Sequence, residues 1–299
     1  MHRDKEDEKD LYDGQLLTIK DHIIHLRKWL REQQPILNSL DTDEFLLRFL
    51  RVTDFRIAHA KERLIRFWQY RTENLQWFTN RDLLKSPLMC EIGQLVYCLQ
   101  LPKATKDKHL IFLMRMGRYN PTQYTFDDVT RYAFAVADIL NSQPAAQLYG
   151  FIILLDFTSI RLKHISQFTL DRIRRYIDCW EKMYPIHVRQ IHVYNYPTCL
   201  SPLFHFLRMF YRGEFHDRIY FHSRSSDDSM RKSLHMYIDP SLLPVEYGGQ
   251  LGSVESEMNQ SFRQWTQERN DSMILLEQYG VDLEHITQLL TNVRKECNL

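Results

Sequence analysis

The sequence predicts an α/β protein, in which an all-helical N-terminal lobe precedes a lobe built on a mostly parallel sheet. Three observations lead there. Apolar residues recur at helical spacing through residues 13 to 90. From about residue 93, short apolar runs of strand length alternate with helical segments long enough to cross between parallel strands. Only 9 of the 299 residues are glycine, against a usual share of roughly 7%. That suits a helix-rich chain and argues against glycine-rich nucleotide-binding loops.

The elements follow in order. Residues 1–12 form a charged arm, MHRDKEDEKDLY, expected to be flexible. Leu17, Ile19, Ile23, Ile24, Leu26 and Leu30 mark an amphipathic helix over 16–30. Asp41 to Glu44 reads as a capping box ahead of Phe45, Leu46, Phe49 and Leu50. Asp54 is placed to cap the next helix, whose stripe is Ala60, Leu64 and Trp68. Strands are expected at 95–101, 110–116, 151–157, 188–194 and 219–222, with helices from Thr130 onward and over 169–182. In the fourth strand Ile186, Val188 and Gln190 share one face, and Ile191 and Val193 the other. Ser201-Pro202 opens a further helix that is apolar on nearly all sides. Helical patterns return at 255–267 and 273–279. The domains expected are 13–90 (helical lobe), 91–252 (sheet lobe) and 253–299, a C-terminal extension packed on the sheet lobe.

Composition excludes several classes. Lys and Arg number 39 against 38 Asp and Glu, so no global field attracts nucleic acid. The five cysteines are an odd count without a C-x-x-C pair, which opposes a disulfide framework or a cysteine zinc site. The N-terminus lacks an apolar signal region, and no apolar run is long enough to span a bilayer. A cytoplasmic monomer is the expectation.

Four blocks together resemble the CRAL-TRIO lipid-binding family. They are DEFLLRFLRVTDFRIAHAKERL (43–64), IFLMRMGRYNP (111–121), GFIILLDFTSI (150–160) and YPIHVRQIHVYNYP (184–197) with the apolar helix and LLPVEYGG after it. They stand in the family's order across roughly 40–250. The nearest branch is that of the α-tocopherol transfer protein, cellular retinaldehyde-binding protein and clavesin. The resemblance implies a carrier of one small hydrophobic lipid, held in an apolar pocket under a mobile lid helix and exchanged at a transient membrane surface. It implies no enzyme, cofactor or metal. A lipid-sensing module acting through a protein partner and a phospholipid or phosphoinositide carrier are the alternatives.

Pocket candidates come from each element: Phe134 and Ala137; Phe151, Ile153, Leu155 and Phe157; Ile173, Ile177 and Trp180; Ile186, Val188 and Ile191; and Leu203, Phe206, Leu207 and Phe210 of the lid. The family's hydroxyl positions align with Ala133 and Ala137, so this pocket is less polar there. A phosphoinositide cleft implied by the resemblance keeps Arg189 and Arg218, with His187 and Lys61 as further candidates. It is weakened by Glu214, Thr53 and His187 at positions where relatives are basic. Phe204 lies off the lid stripe and is expected to meet the bilayer. Thirteen histidines form no metal or catalytic motif. Asp156 ends a strand, where a hydrolase or oxidoreductase would place a carboxylate, but it also matches an aspartate of this non-enzymatic family.

Overall fold

The structure, a computed structural model, describes residues 10–12, 15–201, 204, 217–223 and 226–296. These fall into two compact units, and neither is one stretch of chain. Residues up to 75, 178–186 and 275 onward form a helical unit, while 76–177 and 187–274 form the α/β unit. The linear division at 90 and 252 therefore differs from the packing. Of the expected extension, 253–274 belongs to the α/β unit and only 275 onward to the helical unit.

In the helical unit, β1 (Asp10–Tyr12) pairs with β2 (Gln15–Leu17), so the end of the charged arm is strand. Helix α1 (Ile19–Glu32) starts at Thr18, whose hydroxyl accepts the Asp21 N–H while the Asp21 carboxylate accepts the Thr18 N–H at 2.9 Å. After a two-residue strand β3 (Leu37–Asn38) comes α2 (Asp43–Val52). The box expected at Asp41–Glu44 does not form. Thr42 is the cap without a side-chain bond, and the Asp41 carboxylate takes the Arg31 guanidinium at 2.8 Å instead. Asp54 does not cap α3 (Ile57–Glu73), which starts after Arg56. Asp54 and Phe55 have positive φ and turn the chain back, so that the Phe55 N–H meets the Leu50 carbonyl at 2.8 Å.

The core of this unit is aromatic. Phe45, Phe49, Phe67 and Trp68 pack ring to ring at centroid distances of 4.9–5.9 Å. A wider π-turn at Cys179–Met183 rests on α3. The buried Arg63 guanidinium donates to the Tyr184 and Glu181 carbonyls at 2.5 and 3.1 Å, which pins that turn. Burial lowers its pKa to about 10.

The α/β unit begins with α4 (Leu75–Phe78), mostly within it, and α5 (Pro87–Gln94). Its sheet has five strands in sequence order: β4 (Cys98–Gln100), β5 (Leu110–Arg115), β6 (Phe151–Asp156), β7 (Val188–Tyr196) and β8 (Ile219–Ser223). The first pair is antiparallel and the other three are parallel. Only three residues of the expected first strand are extended. Crossovers are α6 (Phe126–Leu140) with α7 (Pro144–Tyr149), and α8 (Leu162–Ile165) with α9 (Leu170–Asp178). Gly150 enters β6 at φ 78°, with the His187 carbonyl 2.2 Å from where a Cβ would lie, so only glycine fits. Helix α10 (Asp227–His235) covers β7 and β8. Beneath α6, a buried Arg81–Asp138 ion pair at 2.5 Å ties the start of the unit to its centre. Among the described residues no helix is long and apolar enough to cross a membrane.

Candidate functional site

Strand register builds one continuous apolar face. Paired residues of neighbouring strands point the same way. Leu110, Phe112 and Met114 of β5 lie beside Phe151, Ile153 and Leu155 of β6. These lie beside Val188, Ile191 and Val193 of β7, and the last two beside Ile219 and Phe221 of β8. Strict alternation puts Val188 and Ile191 on opposite faces. The β-bulge at Arg189 corrects this: one extra residue restores Ile191 and Val193 to the face of Val188. A second irregularity at Asn195, with φ 53°, turns Tyr196 toward Phe221, at a centroid distance of 5.6 Å.

Most of this face is buried, but Leu155 on the central strand is only half-buried, as are Phe221, Ile173, Tyr176 and Ile177. Tyr176 of α9 reaches the face, with its hydroxyl 3.4 Å from the Met114 sulfur. Phe134 stacks on Phe78 at 5.0 Å and meets Tyr176 at 5.5 Å, and Ala137 is buried one turn on. Among the described residues the buried Thr130 hydroxyl on α6 finds no hydrogen-bond partner. Trp180 and Ile186 belong to the helical unit. The chain leaves α-helical spacing at the π-turn, so Trp180 does not extend the stripe of Ile173 and Ile177; its ring stacks on Tyr184 at 5.2 Å. Tyr176, Met114, Tyr196 and Phe221 are site residues that sequence reasoning missed. Pairing strands by their alternation would have found Met114 and Phe221.

Leu203, Phe206, Leu207 and Phe210 lie outside the described residues, as does Glu214. Phe204 is described, and it does not point away from the sheet. Its ring packs against Phe157 at 5.7 Å, Tyr196 at 5.3 Å and Phe221 at 5.3 Å. Phe157 continues the face of β6, so Phe204 closes the end of the apolar surface.

The cationic candidates separate. Arg189 Nε donates to the Tyr149 carbonyl at 3.0 Å, and Arg218 Nη1 to the Val188 carbonyl at 3.1 Å. With His187 they gather where β7 and β8 begin. Lys61 lies in the helical unit, 5% exposed and ion-paired with Glu296 at 2.6 Å, so its charge is not open to a ligand. Thr53 is buried and donates to the Phe49 carbonyl.

The opposite face of the sheet is polar. Gln190 Oε1 accepts from His192, His192 Nδ1 lies 3.0 Å from His222 Nε2, and His222 Nδ1 lies 2.8 Å from the Ser233 hydroxyl. This chain satisfies two neutral imidazoles. Burial holds both histidines well below the ordinary imidazole range, and a charge on His222 would depress His192 further. Asp156 has both carboxylate oxygens occupied, by the Tyr247 hydroxyl and the Thr158 N–H, each at 2.8 Å. Among the described residues no group of His, Cys, Asp and Glu is arranged to hold a metal.

Comparison with known proteins bears on this arrangement. The family model of the CRAL/TRIO domain matches residues 96–249, and that of the Pinta-like UBA domain matches 17–88. The Homo sapiens protein named alpha-tocopherol transfer protein-like is 26% identical over 231 residues, covering 77% of this chain and 65% of that protein. Mus musculus Clavesin-2 is 26% identical, covering 73% of this chain and 65% of its own. For Rattus norvegicus Clavesin-1 the identity is 27%, covering 73% of this chain and 60% of its own. This chain thus spans less than two thirds of the length of these relatives. The crystal structure of Sfh5 matches with a TM-score of 0.52 at 13% identity, covering 93% of this chain and 96% of that one, a likeness of fold. The match over 96–249 takes in every strand of the five-stranded sheet, and the chain belongs to the CRAL/TRIO domain family.

Proposed function

We propose that this protein is a non-enzymatic carrier of one small hydrophobic lipid, of the retinoid or tocopherol kind, which it exchanges with membranes. The observation that carries the reading is Leu155. A leucine in the central strand of a five-stranded sheet is ordinarily sealed in the core. Here it stays half-buried, on a face that is apolar across four strands. Such a face is stabilised by apolar contact at about 25 cal/mol per Å², and a lipid supplies it. Membership of a family whose relatives include a protein named for tocopherol transfer supports the same ligand class. The segment 198–215 acts as the lid, with Leu203, Phe206, Leu207 and Phe210 toward the ligand. Arg189, Arg218 and His187 give the opposite end of β7 and β8 a contact for anionic headgroups, weaker than a full basic cleft.

Leu155→Arg tests the reading. It should abolish uptake of fluorescent retinoid and tocopherol analogues while the unfolding transition of the helical unit persists. Undiminished uptake with a normal unfolding curve would remove the sheet face as the binding site.

A further inference from the structure

The C-terminal ends of β5 and β6 carry a cleft of about 370 Å³ on the edge of the sheet opposite to Arg189 and Arg218. Two turns form it, Arg115–Asn120 and Asp156–Arg161. They press together because Gly117 has no side chain: a Cβ there would lie 2.3 Å from the Thr158 carbonyl. Three guanidiniums line the cleft, those of Arg115, Arg118 and Arg161, with the exposed Thr158 and Ser159 beside them.

Arg118 Nε is fixed on the Leu95 carbonyl at 3.0 Å. Its Nη2 and the Arg115 Nη1 then converge on a single oxygen, Oε1 of Glu255, at 2.8 and 2.7 Å. Two guanidiniums aimed at one oxygen form the donor set that recognises phosphate. Arg161 makes no ion pair among the described residues. The other carboxylate, Asp156, is already saturated by Tyr247 and Thr158. Three arginines against two carboxylates leave one positive charge. Glu255 is 42% exposed, as is Arg118, and ion pairs that open to water are weak. The carboxyl edge of a parallel sheet is also where α/β folds place polar ligands.

We propose that this cleft binds a phosphate-bearing anion, which displaces Glu255 from Arg115 and Arg118 and engages Arg161. Glu255 is the resident carboxylate that holds the site until the anion arrives. The site is separate from the lipid face, so it stands or falls independently of lipid uptake.

Inorganic phosphate titrated into the full chain at constant ionic strength, followed by calorimetry or amide chemical shifts, tests this. Saturable binding should weaken at least about tenfold in Arg161→Glu and strengthen several-fold in Glu255→Gln, while Lys103→Glu, at an exposed position between β4 and β5, leaves it unchanged. Arg161 makes no ion pair among the described residues, so its variant should keep the wild-type unfolding midpoint; Arg161→Gln replaces it if the midpoint falls. Phosphatidylcholine vesicles with and without phosphatidic acid form the second arm. Phosphatidic-acid-dependent binding that needs Arg161, without saturable phosphate binding, assigns the anion to a lipid headgroup. Saturable phosphate binding without vesicle dependence assigns it to a soluble phosphate. If Arg161→Glu and wild type behave alike in both arms, the proposal is overturned. If Glu255→Gln leaves affinity unchanged, displacement of Glu255 is overturned.

Discussion

Removing the Phe204 ring should accelerate ligand release. Phe204 packs on Phe157, Tyr196 and Phe221 at 5.3–5.7 Å and so fastens the start of the 198–215 segment to the sheet. Each aromatic pair contributes about 0.5–1.5 kcal/mol beyond its area burial. Truncating a fully buried phenylalanine costs about 3–5 kcal/mol. Phe204 is half-buried, so about 2 kcal/mol is a fair share, and that is about thirtyfold in an open-to-closed ratio. Phe204→Ala should therefore speed transfer of a fluorescent ligand to liposomes by an order of magnitude, read by stopped-flow fluorescence. Bound ligand should dissociate faster at zero liposome concentration as well. A bilayer-facing Phe204 predicts the reverse, with slower transfer and unchanged release in solution. Slower transfer would refute the anchoring role and restore the outward orientation that the helical stripe suggests.

Two other outcomes follow from buried charge and buried imidazole. Arg81 and Asp138 are 0% and 2% exposed; Arg81→Met strands a buried carboxylate and should cost about 3–5 kcal/mol in urea unfolding, and a loss under about 1 kcal/mol would show that the pair is dispensable. His192 and His222 fold neutral, so the unfolded chain binds more protons than the folded one below its imidazole range near 6.5. Stability should be flat above about pH 7, then fall as pH drops from about 6.5 toward about 4, where His222 titrates in the fold, by up to about 1.4 kcal/mol per pH unit for each histidine. A His192→Asn, His222→Asn double variant should flatten that slope; the same slope in the variant would take the pair out of the account.

The periodic parts of the fold were legible. Helices α1 to α3, the four parallel strands and the crossovers follow from alternation and helical spacing, which are local properties. What was not legible is non-local or breaks the period. The bulge at Arg189 carries no glycine or proline to announce it, yet it decides whether Ile191 faces Val188. Asn195 did carry a signal, because asparagine tolerates positive φ. Residues 178–186 and 275–296 read as ordinary segments, and nothing local says that they pack with the helical unit. Phe204 lies off the helical stripe that begins at Leu203, yet its packing answers to three rings that the sheet brings together, those of Phe157, Tyr196 and Phe221. Lys61 looked like an open cation because its partner, Glu296, lies 235 residues away.

Native mass spectrometry of the purified protein, followed by lipid extraction, tests the central claim most directly. The account predicts a single bound apolar molecule per chain, retained under gentle ionisation and absent from Leu155→Arg. A wild-type protein that takes up no retinoid, tocopherol or other apolar lipid, or a Leu155→Arg variant that keeps its full complement, would contradict it.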